Sequence, residues 1–190
     1  MFFFEDTEEI TVLGLSGLAG SGKDYLAKSV AWRYNFIPLS LAVPFKTDIC
    51  AKNPEYSFDE VFGETDRSEE VRKLLQEVGT EKGRDVFGQD VWTRSIEGLM
   101  KYFSLYGYSR FIIPDVRFPN ELAWIKRLEG NVIRVVGRGG ISGNRGQHVS
   151  ENSLTDDPDL YDAVFDNSVE NERTSVDRFN ELVKQLTNVR

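Results

Sequence analysis

Gly17-Leu18-Ala19-Gly20-Ser21-Gly22-Lys23-Asp24 sets a lysine and a carboxylate directly after a glycine-rich run. The spacing is G-x-x-x-x-G-K, and its chemistry is that of a phosphate cradle. Glycines let successive backbone N–H groups turn inward around phosphate oxygens. The start of a helix adds partial positive charge, and the lysine reaches the β- and γ-phosphates. Asp24 stands where a serine or threonine ordinarily gives its hydroxyl to Mg²⁺; a carboxylate is also a hard magnesium ligand, directly or through water. A plain glycine turn would need neither the lysine nor the strand and helix expected on either side.

Two charged substrates approach each other in a phosphoryl transfer, so cations must offset their repulsion and fix the line of attack. Lys46, Arg72, Arg84 and Arg117 are candidates to hold an acceptor phosphate, the arginines through bidentate pairs. Each has an ordinary alternative as a surface or ion-paired residue. Asp115 closes an apolar run at the edge where α/β sheets place ligands. It either orients a magnesium-bound water, accepts a hydrogen bond from the acceptor, or caps the next helix. Gln76 could read a base by hydrogen bonding. Trp92 either stacks on a base or belongs to the core. The stretch 137–146 packs five glycines with Arg138 and Arg145. Its glycines cost too much backbone freedom for a packed element. It reads as a lid that carries one arginine to the transferring phosphoryl group, or as a solvated loop.

The elements that must position these residues follow from periodicity. Ile10–Leu15 is a short apolar run, read as a buried strand before the loop, and a helix from Lys23 to Tyr34 follows it. Phe36–Leu41 is a second short strand and 44–52 a brief helix. Val71, Leu74, Leu75 and Val78 mark an amphipathic helix over 68–78, stopped by Gly79. Arg72, Gln76 and Thr80 form a polar stripe along it. A helix over 91–103 starts from Asp90 as N-cap. Phe111–Pro114, Val132–Val136 and Ala163–Phe165 are strands, with helices over 120–129 and at the end of the chain. Short apolar strands separated by helices imply an α/β fold with a parallel sheet covered on both faces.

The 190 residues suit one well-buried domain. With a net charge of −8, a broad grip on nucleic acid is not expected. The single cysteine, Cys50, excludes an internal disulfide and a cysteine-rich zinc site, and fits a cytoplasmic protein. The start, MFFFEDTEEI, is too short and too acidic for a signal peptide or anchor, and no apolar run of about 18 residues spans a membrane. No internal repeat is present.

Three further segments complete the pattern: Leu75-Gln76-Glu77-Val78-Gly79-Thr80-Glu81-Lys82-Gly83-Arg84, then Asp115-Val116-Arg117-Phe118-Pro119-Asn120-Glu121, then Gln147-His148-Val149-Ser150-Glu151. Together with the Gly-Lys-Asp loop they resemble the phage-type deoxynucleoside monophosphate kinases, from about Val12 to Asn167. The resemblance implies a P-loop kinase fold of the nucleoside monophosphate kinase type, built as one domain. About 44–106 would be its acceptor-binding helical region and about 137–152 its lid. It implies ATP as donor, Mg²⁺, and transfer of the γ-phosphoryl group to a deoxynucleoside monophosphate. Gly17 to Asp24 and Tyr25 would contact ATP, although Tyr25 replaces the threonine often found there. Thr80, Asn120, His148 and Glu151 would join Lys46, Arg72, Gln76, Arg84, Trp92 and Arg117 around the acceptor. The partners expected are small molecules, with no nucleic acid or membrane; a homodimer is left open.

His148 is the only histidine, and a loose phosphoryl transition state needs no strong general base. It is therefore not cast as a nucleophile. A phosphomevalonate kinase-like enzyme, which also carries Gly-Lys-Asp, is one competing reading, and a P-loop switch is another. No Asn-Lys-x-Asp motif supports a guanine-specific switch.

Overall fold

The computed structural model describes residues 10–63, 67–139, 153–154, 157–168 and 171–189, with the side chains of 80–82 set aside. In chain order the elements begin with β1 (Thr11–Ser16), α1 (Lys23–Tyr34), β2 (Ile37–Pro38), α2 (Val43–Lys52) and α3 (Phe58–Phe62). α4 (Glu69–Gln76) runs into a π-helical segment (Glu77–Lys82) and α5 (Gly83–Phe87), followed by α6 (Val91–Ser104). β3 (Arg110–Val116), α7 (Pro119–Arg127), β4 (Asn131–Val136), a 3-10 turn (Pro158–Leu160), β5 (Ala163–Asp166) and α8 (Glu172–Thr187) follow among the described residues. The chain forms two compact units: Met1–Leu39 with Met100–Arg190, and Ser40–Leu99.

The first unit is a five-stranded parallel sheet in the order β2-β3-β1-β4-β5. β1 is central because both faces of it are apolar or small. Leu13 and Leu15 pack with Leu26 and Val30 of α1 and Phe179 and Val183 of α8. On the other face Gly14 lies against Ile125 of α7. Helices therefore cover both sides, as the sequence implies for buried parallel strands. The α1–α8 contact carries a polar seam: Tyr34 Oη donates to the Asn180 carbonyl at 3.2 Å, and Asn180 Nδ2 to Ser29 Oγ at 3.1 Å.

Several boundaries differ from the sequence reading for identifiable reasons. β2 is only two residues long, because Pro38 has no N–H to continue the ladder and the strand sits at a sheet edge. β3 runs past Pro114 to Val116, and the register with β1 shifts between Gly14 and Ser16. That bulge accommodates a proline within a sheet and turns Asp115 at the strand's carboxyl end.

The second unit is helical. Its core is Ile49, Val61, Val71 and Leu75, with Phe45, Phe62, Leu74 and Val78 around them. α3 was not foreseen; Ser57 and Glu60 close a reciprocal capping box at its start. Arg67 donates to the Glu60 carbonyl at 3.0 Å and the Val61 carbonyl at 3.2 Å, and also to Gly63 O, which ties off the other end of α3.

Gly79 does not stop the helix. It lies inside the π-helical segment, and helical structure continues to Phe87. A helix-ending glycine adopts a left-handed conformation, and Gly79 is not among the glycines at positive φ. Its carbonyl instead accepts the Trp92 indole N–H at 2.8 Å. The Trp92 ring lies against Gly83, where a Cβ would fall 2.3 Å from Cζ2. It also packs 5.0 Å from the Phe45 ring, tilted by 57°. Trp92 is thus seated in the core of the helical unit and not offered as an open stacking face.

Candidate functional site

The glycine-rich loop leaves the carboxyl end of the central strand and enters α1. Gly17, Gly20 and Gly22 all take positive φ, the conformations that make a glycine-rich loop possible here. Lys23 opens α1 but is 6% exposed. Its ammonium donates to the Gly17 and Leu18 carbonyls at 2.8 Å each and to Ser21 Oγ at 3.3 Å. The cation is therefore inside the loop it serves. Asp24 lies in the first turn of α1, exposed, where a negative charge also suits the helix dipole. Tyr25 follows it and is 54% exposed.

Asp115 is half-buried at the end of β3, the strand beside β1. Two residues on, the chain turns into α7. Glu121, 3% exposed, accepts the backbone N–H groups of Arg117 at 2.7 Å and Phe118 at 3.0 Å. A buried carboxylate with two donors is a satisfied one, and it fixes the turn that carries Arg117 and Asn120. The reverse cap of α7 is thus made by Glu121. This explains the glutamate of the Asp-x-Arg-Phe-x-Asn-Glu segment in terms of turn geometry.

On the other side of β1, the chain leaving β4 crosses the loop. Gly139 passes so close that a Cβ there would be 2.6 Å from the Ala19 carbonyl oxygen and 2.8 Å from Ser21 N. Arg138 stands beside it, bordering a cavity of about 270 Å³ with Gly22, Tyr25, Asn167, Glu172 and Ser175. Asn167 follows β5 and donates from Nδ2 to the Ser21 carbonyl at 2.8 Å. Just before it, Asp166 is held below the usual carboxylate range by the Ser168 hydroxyl first and then by its backbone N–H, which donates at 2.9 Å.

Beneath the loop, Arg134 of β4 is buried and donates to Ser16 Oγ at 3.0 Å, with its guanidinium 5.7 Å from the Tyr161 ring. Neither Arg134 nor Asn167 was singled out from the sequence. Arg134 was hidden within an apolar strand run, and a lone asparagine after a short strand has no spacing signal.

The helical unit holds the other candidates. Arg72 on α4 is half-buried and donates to the Arg67 carbonyl at 3.0 Å, while Gln76 one turn later is exposed. Arg84 on α5 is buried, with one guanidinium nitrogen 3.4 Å from the Gln89 carbonyl oxygen. Lys46 on α2 is half-buried, its ammonium 5.5 Å from the Phe62 ring centre. Thr80 lies in the π-helical segment, its side chain outside the described residues. Arg145, His148 and Glu151 also lie outside the described residues.

A lysine-bearing phosphate loop at the end of the central strand of a five-stranded parallel sheet makes this a P-loop phosphotransferase. A family model described as deoxynucleotide monophosphate kinase matches residues 52–176. The chain belongs to the deoxynucleotide monophosphate kinase family. A protein of Acanthamoeba polyphaga mimivirus, named as an inferred deoxynucleotide monophosphate kinase, is 29% identical over 143 residues, which is 66% of this chain and 74% of that one. Among solved structures, a Thermus thermophilus protein superposes with a TM-score of 0.54 at 18% identity, covering 94% of this chain and 98% of that one. A sugar kinase from a Janibacter species gives 0.50 at 14% identity, covering 96% of each chain. These last two likenesses are of fold.

Proposed function

We propose that the chain transfers the γ-phosphoryl group of magnesium-bound ATP to the 5′-phosphate of a deoxynucleoside monophosphate, giving the diphosphate and ADP. The observation that carries this reading is the phosphate loop with Lys23 inside it, beside a cavity of about 270 Å³, in a chain of this family. Gly17 to Lys23 cradle the triphosphate, and the nucleoside of ATP lies against Tyr25 and Arg138. Asp24 and Asp115 would hold magnesium. Two carboxylates fit an ion that keeps several waters and takes its remaining ligands from substrate phosphates. The ion supplies charge neutralisation on the β- and γ-oxygens when bound.

Arg117 and Asn120 in the sheet unit, and Lys46, Arg72, Gln76, Thr80 and Arg84 in the helical unit, are the proposed acceptor contacts. Trp92 would act from the core, by shaping the helices that carry them. The helical region of about 44–106 is the proposed acceptor-binding part of a single kinase domain. The segment of about 137–152 is the proposed lid, delivering Arg138 or Arg145 to the transition state, with His148 and Glu151 shaping it. The enzyme would work in the cytoplasm, that of a host cell if phage-encoded, on small molecules alone. Among the described residues no helix is long and apolar enough to cross a membrane.

The test is an acceptor panel: ADP formation from ATP and Mg²⁺ with each deoxynucleoside monophosphate, each ribonucleotide and phosphomevalonate. Turnover with one or more deoxynucleotides is expected. Turnover with phosphomevalonate alone would overturn the acceptor assignment and leave the phosphate loop standing.

A further inference from the structure

The Ser21–Gly22 peptide sits at the top of the phosphate loop, one residue before Lys23. A trans peptide directs its C=O and N–H to opposite sides. Whatever holds the Ser21 carbonyl therefore aims the Gly22 N–H. That holder is Asn167, whose Nδ2 donates to Ser21 O at 2.8 Å across 146 positions of sequence. The carbonyl can only accept, so it fixes which end of the Asn167 amide faces it. The other end, Oδ1, accepts from the Ser175 hydroxyl in the first turn of α8. The Asn167 backbone N–H is tied to the Val136 carbonyl at 2.9 Å.

All three polar partners are shielded from water: Ser21 is 1% exposed, Asn167 4% and Ser175 2%. Buried amide hydrogen bonds of this kind are costly to leave unmade. Gly22 has φ +93°, and a Cβ there would fall 2.5 Å from Asn167 Nδ2. The glycine is thus demanded by the amide's approach as well as by the backbone angle. No side chain caps α1 at Gly22, so the aim of the first free N–H of the helix rests on this peptide. Asn167 and Ser175 also border the 270 Å³ cavity.

We propose that Asn167, held by Ser175, is a positioning residue that aims the Ser21–Gly22 peptide at the donor triphosphate and links that aim to the wall of the nucleoside cavity. This rests on the reading above that ATP binds at the Gly17–Lys23 loop. Asn167 acts through the loop, so its effect extends to a ligand that has phosphates and no nucleoside.

The test compares the parent with Asn167→Leu, which keeps the volume and adds no charge, and with Ser175→Ala. Calorimetry measures the affinity for ATP and for inorganic tripolyphosphate. Steady-state kinetics with a deoxynucleoside monophosphate give both KM values and kcat. For Asn167→Leu the expected result is weakening of both ATP and tripolyphosphate binding by roughly ten- to a hundredfold, with the acceptor KM unchanged. For Ser175→Ala, which leaves the amide in place but unbraced, roughly fivefold weakening of both is expected.

A change in thermal midpoint alone, with ATP and tripolyphosphate affinities within about twofold of the parent, would overturn the proposal. Weakening of ATP with tripolyphosphate unaffected would also overturn it, since that would be a contact to the nucleoside. If Asn167→Leu fails to fold, Ser175→Ala decides by the same two affinities. A parent that binds neither ligand would sink the reading of the loop together with this inference. A parent that turns over normally beside unaffected variants would sink this inference alone.

Discussion

The sheet unit and the helical unit secure their polar groups in opposite ways. In the sheet unit, groups distant in sequence meet around strand ends: Ser21 with Asn167, and Ser16 with Arg134. In the helical unit they are held by near neighbours. Ser57 and Glu60 cap α3, Arg67 closes it, Arg72 reaches Arg67, and Arg84 reaches Gln89. Parallel strands bring remote residues to one edge by construction, and a phosphate site built there inherits rigid support. A helical unit with a small core of Ile49, Val61, Val71 and Leu75 relies on local caps and on the fit of Trp92 to Gly79 and Gly83. Damage in the first unit should therefore be read chiefly in catalysis, and in the second chiefly in stability.

The largest expected effect tests the catalytic half of that contrast. Lys23→Ala removes the cation inside the loop, and kcat should fall by about 10³-fold while circular dichroism shows the parent fold. Near-parental kcat would break the assignment of the phosphate loop. Glu121→Ala removes the carboxylate that accepts the half-buried Arg117 and Phe118 N–H groups. It should cost about 2–3 kcal/mol in denaturant unfolding, and it should raise the acceptor KM because Arg117 is no longer fixed. A stability loss with an unchanged KM would confine Glu121 to support of α7.

In the helical unit, Gly83→Ala forces a Cβ to 2.3 Å from Trp92 Cζ2 and 2.4 Å from the Val78 carbonyl oxygen. About 1–2 kcal/mol of destabilisation is expected, with binding of tripolyphosphate unaltered. Loss of tripolyphosphate binding would contradict the division of roles. The smallest effect is on the α3 cap. The Ser57 backbone N–H, and then its hydroxyl, hold the Glu60 carboxyl below its ordinary value of 4.5. A depressed folded pKa adds stability above that ordinary value and loses it as pH falls through the folded one. The stability gap between the parent and Glu60→Gln should shrink on acidification across that window. A gap that stays constant into strong acid would mean that the charge contributes nothing to the cap.

The same contrast explains what could be read from the chain. The glycine loop, Lys23 at the start of α1 and Asp115 at the end of β3 were legible in place, because apolar runs, a glycine loop and a helix start are local signals. Asn167 and Arg134 were not, since their partners lie 146 and 118 positions away and no periodicity encodes such a meeting. In the helical unit the local signals misled. Gly79 has the composition of a stop, yet tertiary contact with Trp92 gives its backbone a different task, and Trp92 itself was drawn toward the ligand by its chemistry while packing holds it in the core. α3 was missed because five residues are too few for a helical period to emerge, although Ser57 and Glu60 form its capping box.

The most direct test of the account follows the phosphoryl group itself. ATP labelled at the γ-phosphorus is incubated with Mg²⁺ and a deoxynucleoside monophosphate, and the label is traced in the products of the parent and of Lys23→Ala. The account predicts that label enters the deoxynucleoside diphosphate one-for-one with ADP in the parent and not in the variant. Label recovered only as inorganic phosphate, or equal transfer by both proteins, would contradict it.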